Sequence, residues 1–182
     1  MAFEILAKEW NANSFQSETQ ENQAKEKAKE MIKTYLKWAS ENKNTPIAVE
    51  QPFRIEIEGV PFNGFIDRVE KTPDDQFAVI DFKTGGVYET SKSIKVDPQM
   101  NVYALGVQKQ YGKLPSNTSL FYLKHDKIVD NPIEESQVEA VKEEIRSTVK
   151  SILNEEFEAT PSYQVCRNCE YWSICDKKEM EE

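Results

Sequence analysis

The sequence predicts an α/β domain in which a small mixed β-sheet is flanked by helices, in the order α-β-β-β-α-β-α. Three observations lead there. Residues 17–42, "SETQENQAKEKAKEMIKTYLKWASEN", carry apolar side chains at a helical period. Three strand-like runs then follow one another, divided by turn signals. A helix, a strand and a long amphipathic helix complete the chain.

The first helix is expected to present Ala24, Ala28, Met31, Ile32, Tyr35, Leu36 and Ala39 on one stripe, with Ser17 and Gln20 forming a capping box at its start. Strands are expected over 47–58 ("IAVEQPFRIEIE"), 61–69 ("PFNGFIDRV") and 77–83 ("FAVIDFK"). The signals "EGV" and "KTPDDQ" between them suit an antiparallel meander. After a polar loop over 85–96, the next helix has Asp97 as N-cap, Pro98 at its first position and Gly112 just past its end. The strand "TSLFYLK" from Thr118, an extended piece around Ile128 and a helix over 134–157 follow.

No internal repeat or linker interrupts this order, so a single domain is expected over 1–182. It has a helical part (1–45), the sheet with its following helix (46–132), a C-terminal helix (133–160) and a cysteine-containing tail (161–182). With 38% hydrophobic residues, 6 Gly and 8 Pro, 182 residues suffice for a proper core. No apolar run reaches the ~20 residues that span a bilayer, and "MAFEILAKEW" lacks the regions of a signal peptide. A cytoplasmic protein without membrane contact is the expectation.

The net charge of −9 argues against a broad basic surface that binds nucleic acid unaided. The three Cys are an odd number within ten residues, which suits metal or cluster ligation in a reducing compartment better than disulfides.

The chemistry concentrates around "VIDFKTGG", residues 79–86. If "TPDDQ" is the hairpin loop, Lys71 pairs with Phe77, and counting back sets Asp67 opposite Asp81. Opposed residues share a face with Cβ atoms ~4.5–5.5 Å apart. Strand alternation puts Lys83 on that face too and turns Ile80 and Phe82 towards the core. Two carboxylates and an ammonium thus converge at one sheet edge.

Two close carboxylates repel unless a proton or cation intervenes. Mg²⁺ or Mn²⁺ suits them, because hard cations take oxygen ligands, and the backbone carbonyl of Phe82 adds a third. Beside Lys83 such a site is equipped to hydrolyse a phosphodiester. Alone, D-x-K at a strand end reads better as an exposed ion pair worth ~0–1 kcal/mol. A second Asp opposite weakens that reading. Gly85 and Gly86 fit close approach of a ligand and fit an ordinary turn equally.

The pattern "GFIDRV…VIDFKTG…QMNVY" resembles the PD-(D/E)xK nuclease superfamily in its RecB-like branch, whose members include nuclease domains of UvrD-type helicases and of helicase–nucleases. The resemblance implies a restriction-endonuclease-like α-β-β-β-α-β core and a site in which Asp67, Asp81 and Lys83 are joined by Gln99 and Tyr103. Gln99 and Tyr103, four apart on a helix, share a face. Glu50, in "AVEQPF", matches an acidic position on the preceding strand, where a surface Glu is nearly as good a reading.

"CRNCEYWSIC" holds Cys166, Cys169 and Cys175 as CxxC-x5-C. It resembles the distal three ligands of the [4Fe–4S] cluster found in many RecB-like nucleases. Thiolates suit zinc as well as iron–sulfur. The chain departs from the family pattern in having no fourth Cys and one histidine, His125, downstream of the Gln99–Tyr103 helix. The family's active-site His and first Cys stand upstream of the sheet, so a piece of a longer chain is expected, with a cluster that is incomplete here. His125 itself reads as a surface residue.

The resemblance therefore implies a Mg²⁺- or Mn²⁺-dependent DNA exonuclease domain acting with an ATP-dependent helicase domain or subunit in DNA repair or recombination. The alternatives are a catalytically inactive DNA-binding or scaffold domain that keeps the fold, and a zinc-binding interaction domain built on the cysteines. Trp10, Trp38 and Trp172 read as core residues.

Overall fold

The computed structural model describes residues 1–57, 59–87, 90 and 93–178. Its helices are α1 (Ala2–Glu9), α2 (Glu18–Glu41), α3 (Pro98–Tyr111), α4 (Glu135–Leu153) and the single turn α5 (Tyr163–Cys166). The strands are β1 (Thr45–Ile57), β2 (Val60–Lys71), β3 (Phe77–Lys83), β4 (Asn117–Tyr122) and β5 (Lys127–Pro132). Short 3-10 turns cover Ser93–Val96 and Leu123–His125. The backbone divides into two compact units, Met1–Glu143 and Glu144–Glu182. Glu58 at the end of the expected strand over 47–58, four residues of the expected loop over 85–96 and residues 179–182 of the cysteine-containing tail lie outside the described residues.

The first unit is built on a five-stranded sheet in the order β1-β2-β3-β4-β5. β1, β2 and β3 form the expected antiparallel meander, β3 and β4 are parallel, and β5 returns antiparallel. A parallel pair cannot be joined by a tight turn, and α3 is its crossover. This is the mixed sheet of a restriction-endonuclease-like α/β fold.

Local signals set the element ends. The Ser17 hydroxyl accepts the Gln20 N–H at 3.2 Å, as expected of an N-cap. The returning bond differs from a capping box, since Gln20 Oε1 accepts from the Gln16 N–H at 2.9 Å and not from Ser17. Asp97 caps α3 by accepting the Met100 N–H at 2.9 Å. Gly112 ends that helix with φ +78°, a left-handed backbone that glycine adopts without a Cβ penalty. α1, within the expected helical part over 1–45, carries no such cap.

Both faces of the sheet are covered, and this corrects the expectation of one core face under Ile80 and Phe82. Met100, Tyr103 and Val107 of α3 pack on Val69, Val79, Leu120 and Tyr122. On the opposite face Tyr35 and Trp38 of α2 pack on Phe82, with Trp38 also against Phe121. Alternation along β3 therefore sends Val79, Asp81 and Lys83 under α3 and Phe82 under α2. Phe121, fully buried, contributes roughly 1.5–3 kcal/mol of apolar burial.

The second unit holds the end of α4 and the cysteine segment. The Ser162 hydroxyl caps the α5 turn by accepting the Val165 N–H at 3.3 Å. Lys178 sits 5.1 Å from the Trp172 ring and donates to the Trp172 carbonyl at 3.0 Å.

Candidate active site

The hairpin register is as the turn chemistry implies. Lys71 opposes Phe77, and the pairing continues through Val69↔Val79 to Arg68↔Ile80. One step further lie Asp67 and Asp81. There a side chain takes over from the ladder: Asp67 Oδ2 accepts the backbone N–H of Phe82 at 2.8 Å. β1 is irregular at the same level. Glu50 has φ +48° and falls between the paired positions Val49↔Arg68 and Gln51↔Ile66. The register shift of β1 lies earlier, between Pro46 and Ala48, so Glu50 stands in register opposite Asp67 with a left-handed backbone.

Asp81 is 3% exposed, so it is not the open edge group that the strand pattern implied. α3 closes over it, a tertiary contact that strand periodicity does not contain. Lys83 Nζ lies 2.8 Å from Asp81 Oδ2. Apart from this ion pair, no hydrogen bond reaches that buried oxygen among the described residues. Lys83 Nζ also donates to Gln99 Oε1 at 3.0 Å, and Gln99 Nε2 donates to the Tyr103 hydroxyl at 2.9 Å. The sequence-expected residues Asp67, Asp81, Lys83, Gln99 and Tyr103 thus form one polar group at the C-terminal end of β3 and the start of α3.

Electrostatics make Asp81 the strained member. Burial pushes its carboxyl above the usual range; Lys83 opposes this, while the charges of Asp67 and Asp97 add to it. For Lys83, burial pulls the pKa down, but the contacts with Asp81 outweigh it and the net shift is upward. Burial also raises the Tyr103 phenol, with Asp81 and Asp67 contributing and Gln99 opposing.

A buried carboxylate oxygen without a hydrogen bond, held up in pKa and facing two further negative charges, is an environment that gains from a cation. The donors are carboxylate and carbonyl oxygens, which fit a hard divalent ion such as Mg²⁺ or Mn²⁺. Asp67, Asp81 and the Phe82 carbonyl are the groups that could hold it. Glu50 is level with Asp67 in the strand register but exposed, and it does not complete a group of three with Asp67 and Asp81 among the described residues. Among the described residues no group of three or more His, Cys, Asp or Glu side chains converges as a metal site.

The same holds for the cysteines. Cys166 is buried and Cys169 and Cys175 are half-buried, with the Cys169 N–H donating to the Cys166 carbonyl at 3.1 Å. They share one segment without forming a ligand set. His125 ends a 3-10 turn and is exposed, the surface position expected of it.

Sequence reasoning missed the groups behind the site. Arg68 donates to Glu70 at 2.6 Å and to the Tyr35 hydroxyl at 3.0 Å, and its guanidinium lies 5.3 Å from the Trp38 ring centre. Glu70, fully buried, is completed by the side-chain amides of Asn42 at 2.8 Å and Asn44 at 3.1 Å. The alternation in "DRVE" carries a signal, because Arg68 and Glu70 share the face opposite Asp67.

A family model described as the PD-(D/E)XK nuclease superfamily matches residues 1–176. The gene 69 protein of Mycobacterium phage D29 is 28% identical over 134 residues, covering 70% of this chain and 47% of that protein. The chain therefore spans about half the length of this curated relative. A solved structure described as "Crystal structure of SSO0001" is 14% identical with a TM-score of 0.48, covering 87% of this chain and 72% of that one.

Proposed function

The chain belongs to the PD-(D/E)XK nuclease superfamily, and on that premise we propose that it is a Mg²⁺- or Mn²⁺-dependent DNA nuclease that hydrolyses phosphodiesters from strand ends. The observation that carries the reading is the buried Asp81 carboxylate, paired with Lys83 and repelled by Asp67, at the point where the hairpin and α3 meet.

Asp67 and Asp81, with the Phe82 carbonyl, would hold the divalent ion. When bound, that ion supplies Lewis-acid polarisation of the phosphate and a lowered pKa for the attacking water. The Phe82 N–H keeps the Asp67 carboxylate in one orientation. Lys83, fixed between Asp81 and Gln99, presents a preorganised positive charge to the phosphate as negative charge develops on it. Gln99 holds the Lys83 ammonium through its amide oxygen and Tyr103 through its amide nitrogen, so both side chains line the approach of the DNA backbone.

The acidic composition, with net charge −9, supports a division of labour in which an ATP-dependent helicase domain or subunit supplies most of the DNA affinity in repair or recombination. A second reading, a DNA-binding or scaffold domain that keeps the fold without catalysis, is favoured by one observation: no third acidic or histidine side chain joins Asp67 and Asp81 among the described residues. Among those residues no helix is long and apolar enough to cross a membrane.

The test is cleavage of end-labelled linear DNA, single-stranded and duplex, with Mg²⁺ or Mn²⁺. The nuclease reading expects metal-dependent release of nucleotides that a chelator stops. Binding of DNA without cleavage under any of these conditions favours the scaffold.

A further inference from the structure

We infer that Tyr35 and Trp38 of α2 are positioning residues, which hold Asp67 and Asp81 at their working separation from the far face of the sheet. The consequence for metal binding rests on the nuclease reading above; the positional claim does not.

Strand alternation requires such a support to come from behind. Asp67 and Asp81 face α3, where packing side chains between them would fill the site. Their neighbours Arg68 and Phe82 face α2, and the same two aromatic residues grip both. Tyr35 accepts the Arg68 guanidinium at 3.0 Å through its hydroxyl and meets the Phe82 ring edge-on at 5.5 Å. Trp38 lies 5.3 Å from that guanidinium, 5.9 Å from the Phe82 ring and 5.4 Å from the Phe121 ring.

The grip falls where the sheet's own pairing gives out. Between β2 and β3 the paired positions end at Arg68↔Ile80, one step before the two carboxylates. Beyond that step the Phe82 N–H bond to Asp67 links the strands at 2.8 Å. Its length depends on where Phe82 sits relative to the residue after Asp67. Tyr35 and Trp38 determine that placement, because each touches both. The Arg68 guanidinium is itself locked to the fully buried Glu70 at 2.6 Å, so the β2 side of the grip is rigid. A hydrophobic lid alone needs neither the Tyr35 hydroxyl nor the guanidinium over Trp38.

The experiment follows the Phe82 amide proton by NMR hydrogen exchange in the metal-free protein, then measures Mn²⁺ binding by calorimetry. The variants are Trp38→Leu and Tyr35→Phe, the second removing one oxygen only. Val141→Ala, a buried position on α4, serves as the control, with all proteins compared at equal distance below their own Tm. Trp38→Leu is expected to speed Phe82 exchange by about tenfold over the control and to weaken Mn²⁺ binding by roughly 10–100-fold, as loss of a group that orients a metal ligand does. Tyr35→Phe is expected to shift both in the same direction by less, and it decides the matter if Trp38→Leu does not fold. Phe82 exchange equal to the control in the folded variants overturns the inference. If the wild type binds no Mn²⁺, the metal reading fails, and the Phe82 exchange rates still decide whether the aromatic pair positions Asp67.

Discussion

The Lys83 ammonium lies 2.8 Å from Asp81 Oδ2, and among the described residues no hydrogen bond reaches that buried oxygen. The pair thus neutralises a carboxylate without satisfying it. Removing one partner of a buried pair costs more than the pair is worth, because the other charge is left behind. Lys83 is one-third exposed, which softens the effect. Lys83→Ala should destabilise the protein by about 1–2 kcal/mol in urea unfolding. Adding Asp81→Asn should recover most of that loss, since the orphaned charge goes with it.

The raised Asp81 pKa gives a pH signature of defined sign. A carboxyl whose folded pKa exceeds its unfolded value of ~3.9 binds its proton more tightly when folded. Its stabilising contribution is complete below that unfolded value and is lost as pH rises through the folded pKa. The stability of the metal-free wild type, relative to Asp81→Asn, should therefore rise as pH falls from neutral through that pKa. Lys83, raised as well, should lose its contribution only as pH climbs past its own folded pKa. Unfolding curves for wild type and Asp81→Asn across pH check both limbs.

Metal binding should run against that proton. Mn²⁺ needs Asp81 ionised, so binding should weaken on acidification before an ordinary aspartate would begin to titrate, with proton release growing as pH falls. Saturating Mn²⁺ should raise Tm in wild type and leave Tm unchanged in Asp67→Asn and Asp81→Asn. Calorimetry in buffers of different ionisation enthalpy counts the protons.

Gly106 is where β1 docks on α3. A Cβ at Gly106 would meet the Phe53 ring at 3.1–3.3 Å, and Phe53 packs edge-on against Tyr103 at 5.8 Å. Alanine gains ~1 kcal/mol of helix propensity, yet the Phe53 ring is packed between Gly106 and Gly64, where an added Cβ would likewise meet it at 3.1 Å. Gly106→Ala should destabilise by about 1–2 kcal/mol net, as overpacking does. It should also lower activity by moving Tyr103, and Phe53→Leu in the same chain should restore both.

What the sequence made legible is the local chemistry. "TPDDQ" is a turn with one good register, and that register alone brings Asp67 and Asp81 to the same level. Helical spacing alone joins Gln99 to Tyr103. What it did not contain is closure: Asp81 is buried because α3 crosses over β3, and Phe82 serves Asp67 because α2 holds it from behind. The buried Glu70 network was hidden for the same reason, since Asn42 and Asn44 at the end of α2 meet Glu70 only when the helix packs on the sheet. The bend at Glu50 needs a left-handed φ in a residue that gives no local sign of it.

If Asp81 and Lys83 act together in phosphodiester hydrolysis, the decisive measurement is nucleotide release from linear DNA by wild type, Asp81→Ala and Lys83→Ala under saturating Mn²⁺. Each variant should keep its fold and lose roughly 10²–10³-fold or more in rate, the scale set by losing one group that stabilises transition-state charge. Degradation by both variants at the wild-type rate would contradict that joint role.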